Sequence, residues 1–171
     1  MIRKQPKNLA DKIAKAIDLY PCELLFVHRD AEGASPEMRR EEIRTALDSI
    51  GNSQSRPRHV CVVPVKMSEA WLLFDETAIR KAAGNPNGAI TLSLPLPRRV
   101  ENLPDPKEIL FGLIRSASEL SGRRLRNLSE SRARVRLAEL IDDFSPLRQL
   151  AGFNTFEADV KATLSQTAST R

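Results

Sequence analysis

The chain has 171 residues, of which 41% are hydrophobic, 29% are charged and only 5% are aromatic, with a formal net charge of +5. This is an ordinary globular composition, long enough for one domain whose core is built from aliphatic side chains. No run of about 18 apolar residues is present, which excludes a membrane-spanning helix. The first residues lack the apolar middle of a secretory signal, so we expect a cytoplasmic protein.

The N-terminal part alternates between predicted helices and strands. A first amphipathic helix, ended by Pro21, is indicated by apolar residues at helical spacing: Leu9, Ile13, Ile17 and Tyr20. The segment CELLFV predicts a strand that is apolar on both faces, as in a covered parallel sheet. Ser35 followed by Pro36 predicts the start of a second helix. The segment GNSQSRPR then predicts a loop, and HVCVVPV predicts a second strand in which Pro64 favours an edge position or a bulge.

The rest of the chain predicts mainly helices. The segment DETAIRKAAG indicates a helix ended by Gly84, and the proline-rich residues 85–104 indicate a crossing loop. Asp105 and Pro106 open a further helix. Another helix is expected from Ser131 to Ile141, then a short turn, then a last helix. That helix is capped by Asn154 and Glu157, buries Phe156, Val160 and Leu164, and precedes a frayed tail, SQTASTR.

These elements predict an α/β fold, specifically a small parallel sheet flanked by helices, with a helical C-terminal third. We expect one domain over 1–171, comprising a βα core (9–84), the proline-rich loop (85–104) and a helical part (105–165). Two strands make a poor sheet by themselves. A further strand is therefore absent, hidden in the proline-rich loop, or supplied by a second copy of the chain. The two cysteines, Cys22 and Cys61, lie in apolar segments and are predicted to be reduced core thiols.

Acidic residues follow both predicted strands. Asp30 and Glu32 come directly after the first, and Glu69 and Asp75 follow the second, near Lys66. Two carboxylates about 5 Å apart repel by roughly 3 kcal/mol at an effective dielectric of 20, and Mg²⁺ or Mn²⁺ would relieve that repulsion. The alternative is that Asp30 and Glu32 cap the next helix or pair with nearby arginines, candidates being Arg29, Arg39 and Arg40.

Other candidate residues leave two interpretations open. The segment GRRLRNLSESRARVRL contains six arginines that either face phosphates or form a solvated surface: Arg123, Arg124, Arg126, Arg132, Arg134 and Arg136. His28 is either an acid–base group or a half-buried strand residue. Trp71 is expected to anchor the core. No phosphate-binding glycine loop and no nucleophile elbow are present in the sequence.

Several segments together resemble a bacterial family, domain of unknown function 4276: FVHRDAEG, VVPVKMSEAWLLFDETAIRKAAGNPNG, LPDPKEIL and RARVRLAELIDDFSPLRQL. The resemblance covers most of the chain, from about Leu24 to Leu164. It implies a Rossmann-like fold related to the topoisomerase–primase (Toprim) domain, in which acidic residues bind Mg²⁺ for phosphodiester chemistry. It also implies a possible ATPase partner in phage defence.

By this resemblance, Asp30 and Glu32 occupy the Toprim Asp-x-Asp position, and Glu69 matches a further acidic residue, followed by Asp75. Asp30, Glu32 and Glu69 are then the expected catalytic residues, with Asp75 as an added metal ligand. Lys66 and the arginines are expected to bind substrate. The chain departs from the Toprim pattern because no strand ending in glutamate precedes the first predicted helix.

Two functions follow as expectations. The first is a Mg²⁺-dependent Toprim-like nuclease, or a nuclease relative, that acts on nucleic acid. The second is a non-catalytic, protein-binding subunit of an ATPase-associated defence system.

Overall fold

The computed structural model describes residues 7–31, 33–50 and 56–168, with side chains as far as residue 165. The chain forms two compact units. The first unit consists of 1–65 together with 155–171, and the second consists of 66–154. The division therefore falls within the last helix of the chain.

The first unit contains a parallel sheet and the helices beside it. Its elements are α1 (Leu9–Leu19), β1 (Leu24–His28), α2 (Pro36–Asp48), β2 (Arg58–Val62) and most of α7 (Ala151–Ala168). The strands β1 and β2 pair in parallel from Leu24 opposite Arg58 to His28 opposite Val62. Beyond β1, the Ala31 N–H donates to the Pro64 carbonyl at 3.1 Å, which prolongs the backbone pairing.

Local sequence signals explain where the first helices begin. The Asn8 side chain accepts from the Asp11 N–H, and the Ser35 hydroxyl accepts from the Met38 N–H, so each satisfies one otherwise unpaired donor. The apolar faces of α1, α2 and the strands then form one core, whose largest members are Ile13, Val27, Ile43, Leu47 and Val63. Removing this apolar surface from water is the main favourable contribution to the folding of the unit.

The described residues of the second unit form helices and connecting segments, and no strand. Its elements are a 3₁₀ helix at Ser68–Leu72, α3 (Glu76–Ala82), a 3₁₀ helix at Pro97–Asn102, α4 (Pro106–Ser118), α5 (Gly122–Arg126), α6 (Glu130–Leu140) and a 3₁₀ helix at Ser145–Gln149. Helix α6 packs against α3 and α4. The fully buried side chains here include Leu73, Ile79, Leu110, Ile114, Leu137 and Leu147.

The coarse prediction of the fold is confirmed. The protein is mixed α/β, with a small parallel sheet flanked by helices and a helical C-terminal part. The described residues contain two strands, and the proline-rich segment 85–104 adds a 3₁₀ helix and no strand. The more specific Rossmann-like or Toprim-like identity stays a prediction. No helix in the described ranges has both the length and the hydropathy needed to cross a membrane.

Two predicted positions of element ends are wrong. Strand β2 ends at Val62, so Pro64 lies after the strand and not within it. Helix α7 begins at Ala151, three residues before the predicted cap at Asn154. The Asn154 side chain instead donates to the Arg148 carbonyl at 2.7 Å, because the preceding 3₁₀ helix runs almost directly into α7 and brings that carbonyl within reach.

Three predicted core residues are exposed. Tyr20 follows the end of α1 and is 75% exposed, and Leu164 near the end of α7 is 52% exposed. Cys22 is exposed in the connection between α1 and β1, whereas Cys61 is buried in β2 as predicted. Periodicity shows which residues share a face, but these side chains lie at or beyond helix ends, where the packing surface stops. The predicted loop at 51–55 and the end of the predicted frayed tail, 169–171, lie outside the described residues.

Candidate nucleic-acid interface

Helix α6 presents one apolar face to the core and a basic face to solvent. The Ser129 hydroxyl accepts from the Arg132 N–H and starts the helix. Ala133 and Leu137, four residues apart, are buried. At about 100° per residue, Val135 points directly away from the midpoint of that buried face, and it is 55% exposed. Arg132 and Arg136 lie about 60° and 100° to one side of Val135 and are also exposed.

The preceding short helix, α5, adds further positive charge. Arg123, Arg124 and Arg126 are all exposed. Neither these three nor Arg132 and Arg136 form an ion pair with any described residue. We call these five residues the α5–α6 arginines. Because their guanidinium groups meet no carboxylate of the described chain, their donors remain available to an external anion.

The sixth arginine of the segment has a different role. Arg134 Nη1 donates to Glu69 Oε1 at 2.5 Å, and the Glu69 side chain is only 7% exposed. This ion pair ties α6 to the 3₁₀ helix at Ser68–Leu72. Arg134 therefore differs from the other arginines in having a carboxylate partner inside the second unit, and its role in substrate binding stays a prediction.

Acidic residues hardly offset the positive charge of the α5–α6 segment. Glu130 accepts from Arg115 Nη1 at 3.2 Å, and Arg115 also donates to Glu108. These two carboxylates raise the pKa of Arg115 through hydrogen bonds and charge. Only Glu139 remains as an exposed carboxylate of the segment, against five exposed arginines. The local field is therefore strongly positive.

The surface over α6 is an open depression of about 580 Å³. Its lining comes from consecutive turns of this one helix: Ser131, Arg132, Arg134, Val135, Arg136 and Glu139. A shallow, open, basic surface fits an extended polyanion better than a small apolar ligand, which is usually enclosed by its site.

The predicted metal ligands are distributed over both units. Asp30 belongs to the first unit, where its Oδ1 lies 3.1 Å from His28 Nε2, and Glu69 and Asp75 belong to the second. Glu32 lies outside the described residues. Within the described ranges, no three His, Cys, Asp or Glu side chains form a group that could hold a metal ion.

Glu69 and Asp75 already have protein partners. Glu69 pairs with Arg134, and Asp75 Oδ1 accepts from the Ala78 N–H at 2.9 Å as the cap of α3. One oxygen of each carboxylate is therefore already engaged by the protein, and the role of Glu69 and Asp75 as metal ligands stays a prediction. The Mg²⁺ site at Asp30 and Glu32, and the catalytic role assigned to these acids, stay predictions.

The remaining candidates lie as follows. Lys66 is exposed. His28 is the last residue of β1, with 46% of its side chain exposed. Trp71 is buried, packs edge-on against Phe153 with ring centroids 5.4 Å apart, and donates to Glu101, which confirms its structural role. Arg29 pairs with Glu42.

Three comparisons of this chain with known proteins found no match. No family model, no curated protein and no solved structure matched this chain. The resemblance to domain of unknown function 4276 therefore also stays a prediction.

Proposed function

We propose that this protein binds nucleic acid through the phosphate backbone, using the α5–α6 arginines. The observation that carries the proposal is that five exposed arginines lie on two successive helices, α5 and α6, without a carboxylate partner among the described residues. Arginine is the side chain best suited to bidentate hydrogen bonding with phosphate. An open surface without a deep pocket suits binding that is governed by charge and is largely independent of sequence.

Cleavage of the nucleic acid is a separate proposal that rests on the family resemblance. It places Mg²⁺ at Asp30 and Glu32, while Glu69 and Asp75 each have one oxygen engaged, by Arg134 and by the cap of α3. When bound, such an ion would polarise a phosphoryl oxygen or activate water. The residues described here support binding of the polyanion, and we derive no catalytic step from them.

The alternative function, a protein-binding subunit of an ATPase-associated defence system, predicts that the same arginines contact acidic residues of a partner. Val135, exposed on α6 beside Arg132 and Arg136, would then add an apolar contact. The two proposals differ in the ligand of this surface, which is nucleic acid in the first and an acidic protein in the second. Binding of nucleic acid has a characteristic dependence on salt concentration, and this dependence can be measured.

Fluorescence anisotropy with a labelled DNA duplex and with single-stranded RNA tests the proposed function. For wild-type protein, we expect the logarithm of the binding constant to fall linearly with the logarithm of the salt concentration. The double variant Arg132→Gln/Arg136→Gln should bind more weakly, and its slope on duplex DNA should be shallower by about 1.8, because each phosphate contact contributes about 0.9.

A matched control separates a specific surface from the overall charge. The variant Lys12→Gln/Lys81→Gln also removes two positive charges from exposed helix positions, one in α1 and one in α3. It should retain almost the full affinity and slope. A flat salt response of the wild type, or equal losses in the two double variants, would refute the proposal.

A further inference from the structure

The first unit contains a cleft whose polar side chains differ from the α5–α6 arginines. It is formed by α2, β2 and the C-terminal part of α7 and has a volume of about 160 Å³. We call it the α2–β2–α7 cleft. Its polar lining consists of Arg40 and Arg44 from α2, His59 from β2, and Asp159 and Thr163 from α7.

The acceptor groups of α7 in this cleft are already satisfied. Asp159 Oδ2 accepts from Arg40 Nη1 at 2.6 Å, and the Asp159 carbonyl accepts from the Thr163 hydroxyl at 2.7 Å. The Thr163 carbonyl accepts from Arg58 Nη1 at 3.0 Å. Arg40 thus offsets the charge of Asp159, which is the carboxylate in the lining of the cleft.

Donor groups, by contrast, are in excess. Arg40 uses one terminal nitrogen for Asp159 and keeps its other N–H groups, although only 11% of its side chain is exposed. Arg44 is 59% exposed, and its closest carboxylate, Glu41, is 3.6 Å away, which is too long for a hydrogen bond. The His59 ring makes no hydrogen bond within the described residues. Burial is the main cause that lowers the pKa of His59, and the charge of Arg44 lowers it further.

We propose that the α2–β2–α7 cleft binds a phosphate group, held by Arg40, Arg44 and His59. Two guanidinium groups and one imidazole N–H can surround a tetrahedral oxyanion and supply several charge-assisted hydrogen bonds. The volume decides the size of the ligand, because pockets for drug-sized molecules begin at about 300 Å³. The cleft therefore accepts one phosphate group and leaves the remainder of a larger molecule outside.

The cleft shares no residue with the proposed nucleic-acid surface, because it consists of residues of the first unit and the α5–α6 arginines belong to the second. The phosphate can come from two sources: inorganic phosphate, or the terminal phosphate of a nucleotide or an oligonucleotide. Both present the same tetrahedral oxyanion to the arginines, so the experiment must compare them directly.

Titration calorimetry with inorganic phosphate at constant ionic strength, adjusted with chloride, tests the site. We expect saturable binding by the wild type and by Arg98→Gln, a control that removes an exposed arginine from the second unit. Arg44→Gln should weaken binding about tenfold, since a hydrogen bond to a charged group contributes roughly that factor, and Arg44→Lys should lose less. Arg44 is exposed, so its replacement leaves the core intact.

The second variant, His59→Leu, removes the ring donors while keeping an apolar stem in β2, and circular dichroism verifies that it is folded. We expect it to lose phosphate affinity as well. The proposal is overturned if chloride alone reproduces the wild-type signal, or if a folded His59→Leu and Arg44→Gln both bind phosphate as tightly as the wild type.

Two oligonucleotides, one with and one without a 5′-phosphate, identify the source of the phosphate when their affinities are compared. The protein for this comparison carries Arg132→Gln/Arg136→Gln, so that the α5–α6 surface contributes little to binding. If the phosphorylated strand binds more tightly, and Arg44→Gln abolishes this difference, the cleft binds the phosphorylated ends of nucleic acids. Equal binding of the two strands, together with saturable inorganic phosphate, assigns it to the free anion. Failure of the α5–α6 proposal changes neither result.

Discussion

Arg134 of α6 and Glu69 of the 3₁₀ helix at Ser68–Leu72 form an ion pair of 2.5 Å, with the carboxylate almost completely buried. Removing the cation leaves a buried charge without its partner. We therefore expect Arg134→Met to lower the free energy of unfolding by about 2 kcal/mol or more, somewhat less than for a fully buried pair because Arg134 is partly exposed. Urea unfolding measures this loss.

The double variant Glu69→Met/Arg134→Met is the control for that effect. It removes both charges, so we expect it to recover part of the stability that Arg134→Met loses. If the losses of stability in Arg134→Met and Glu69→Met add up to the loss in the double variant, the two residues have no net coupling. The structural role assigned to the ion pair is then wrong.

The same ion pair makes a prediction about Mg²⁺. Because Glu69 is paired with Arg134, the change Glu69→Gln should leave the heat of Mg²⁺ binding unchanged, measured by calorimetry. Asp30→Ala tests the other predicted ligand in parallel, and the metal-dependent nuclease proposal expects it to remove saturable binding. A loss of Mg²⁺ affinity in Glu69→Gln, with the protein folded, would show that the carboxylate leaves Arg134 to bind the ion.

Gly88 lies where three polar side chains converge. A Cβ at this position would be 2.6 Å from Asn85 Nδ2, 2.7 Å from Glu119 Oε1 and 2.9 Å from Arg80 Nη1. Asn85 also donates to the Ala117 carbonyl and Glu119 accepts from the Ile90 N–H, so neither can move without losing a hydrogen bond. We expect Gly88→Ala to destabilise the protein by about 1–3 kcal/mol.

Gly112→Ala provides the matched control for Gly88→Ala. This glycine lies inside α4, and the nearest atom to an added Cβ is Arg115 Nη2 at 4.0 Å. Alanine there should stabilise the helix by roughly 0.5–1 kcal/mol, because it reduces the conformational freedom of the unfolded chain. Thermal unfolding of both variants should show shifts of opposite sign.

Glu101 predicts a dependence of stability on pH. Burial raises the pKa of its carboxyl above the ordinary 4.5, and hydrogen bonds from Trp71 and from the Gly152 N–H offset only part of that effect. The folded state therefore holds this proton to a higher pH than the unfolded state. The contribution of the protonated Glu101 carboxyl to the free energy of unfolding is fully present below pH 4.5. It is lost as the pH rises through the pKa of Glu101 in the folded state.

The variant Glu101→Gln lacks this titration. We expect the free energy of unfolding of the wild type, relative to Glu101→Gln, to decrease as the pH rises from about 4 to 7, measured by denaturant titration at each pH. The variant Glu139→Gln makes the same chemical change at an exposed position of α6 and should show a smaller trend. A wild-type advantage that grows with pH would contradict the expected sign.

Much of the local structure could be predicted from short segments. Ser35 and Asp105 do cap α2 and α4, each accepting from the N–H three residues later, because a cap needs only its own first turn. The cap predicted at Asn154 lies inside α7, which begins at Ala151, since the side-chain hydrogen bond of Asn154 is made to the preceding 3₁₀ helix and not within α7. Such a contact depends on the path of the backbone between elements.

In the candidate site, too, some features follow from the sequence and others require the tertiary structure. The sequence alone determined that the segment from Arg123 to Arg136 is basic and that a helix spans about Ser131 to Ile141. Spacing could not distinguish Arg134 from Arg136, because each lies about 80° from the midpoint between the buried Ala133 and Leu137, on opposite sides. Only the tertiary structure decided between them, by placing the buried carboxylate of Glu69 on the side of Arg134, where a low-dielectric surrounding strengthens the pairing of opposite charges.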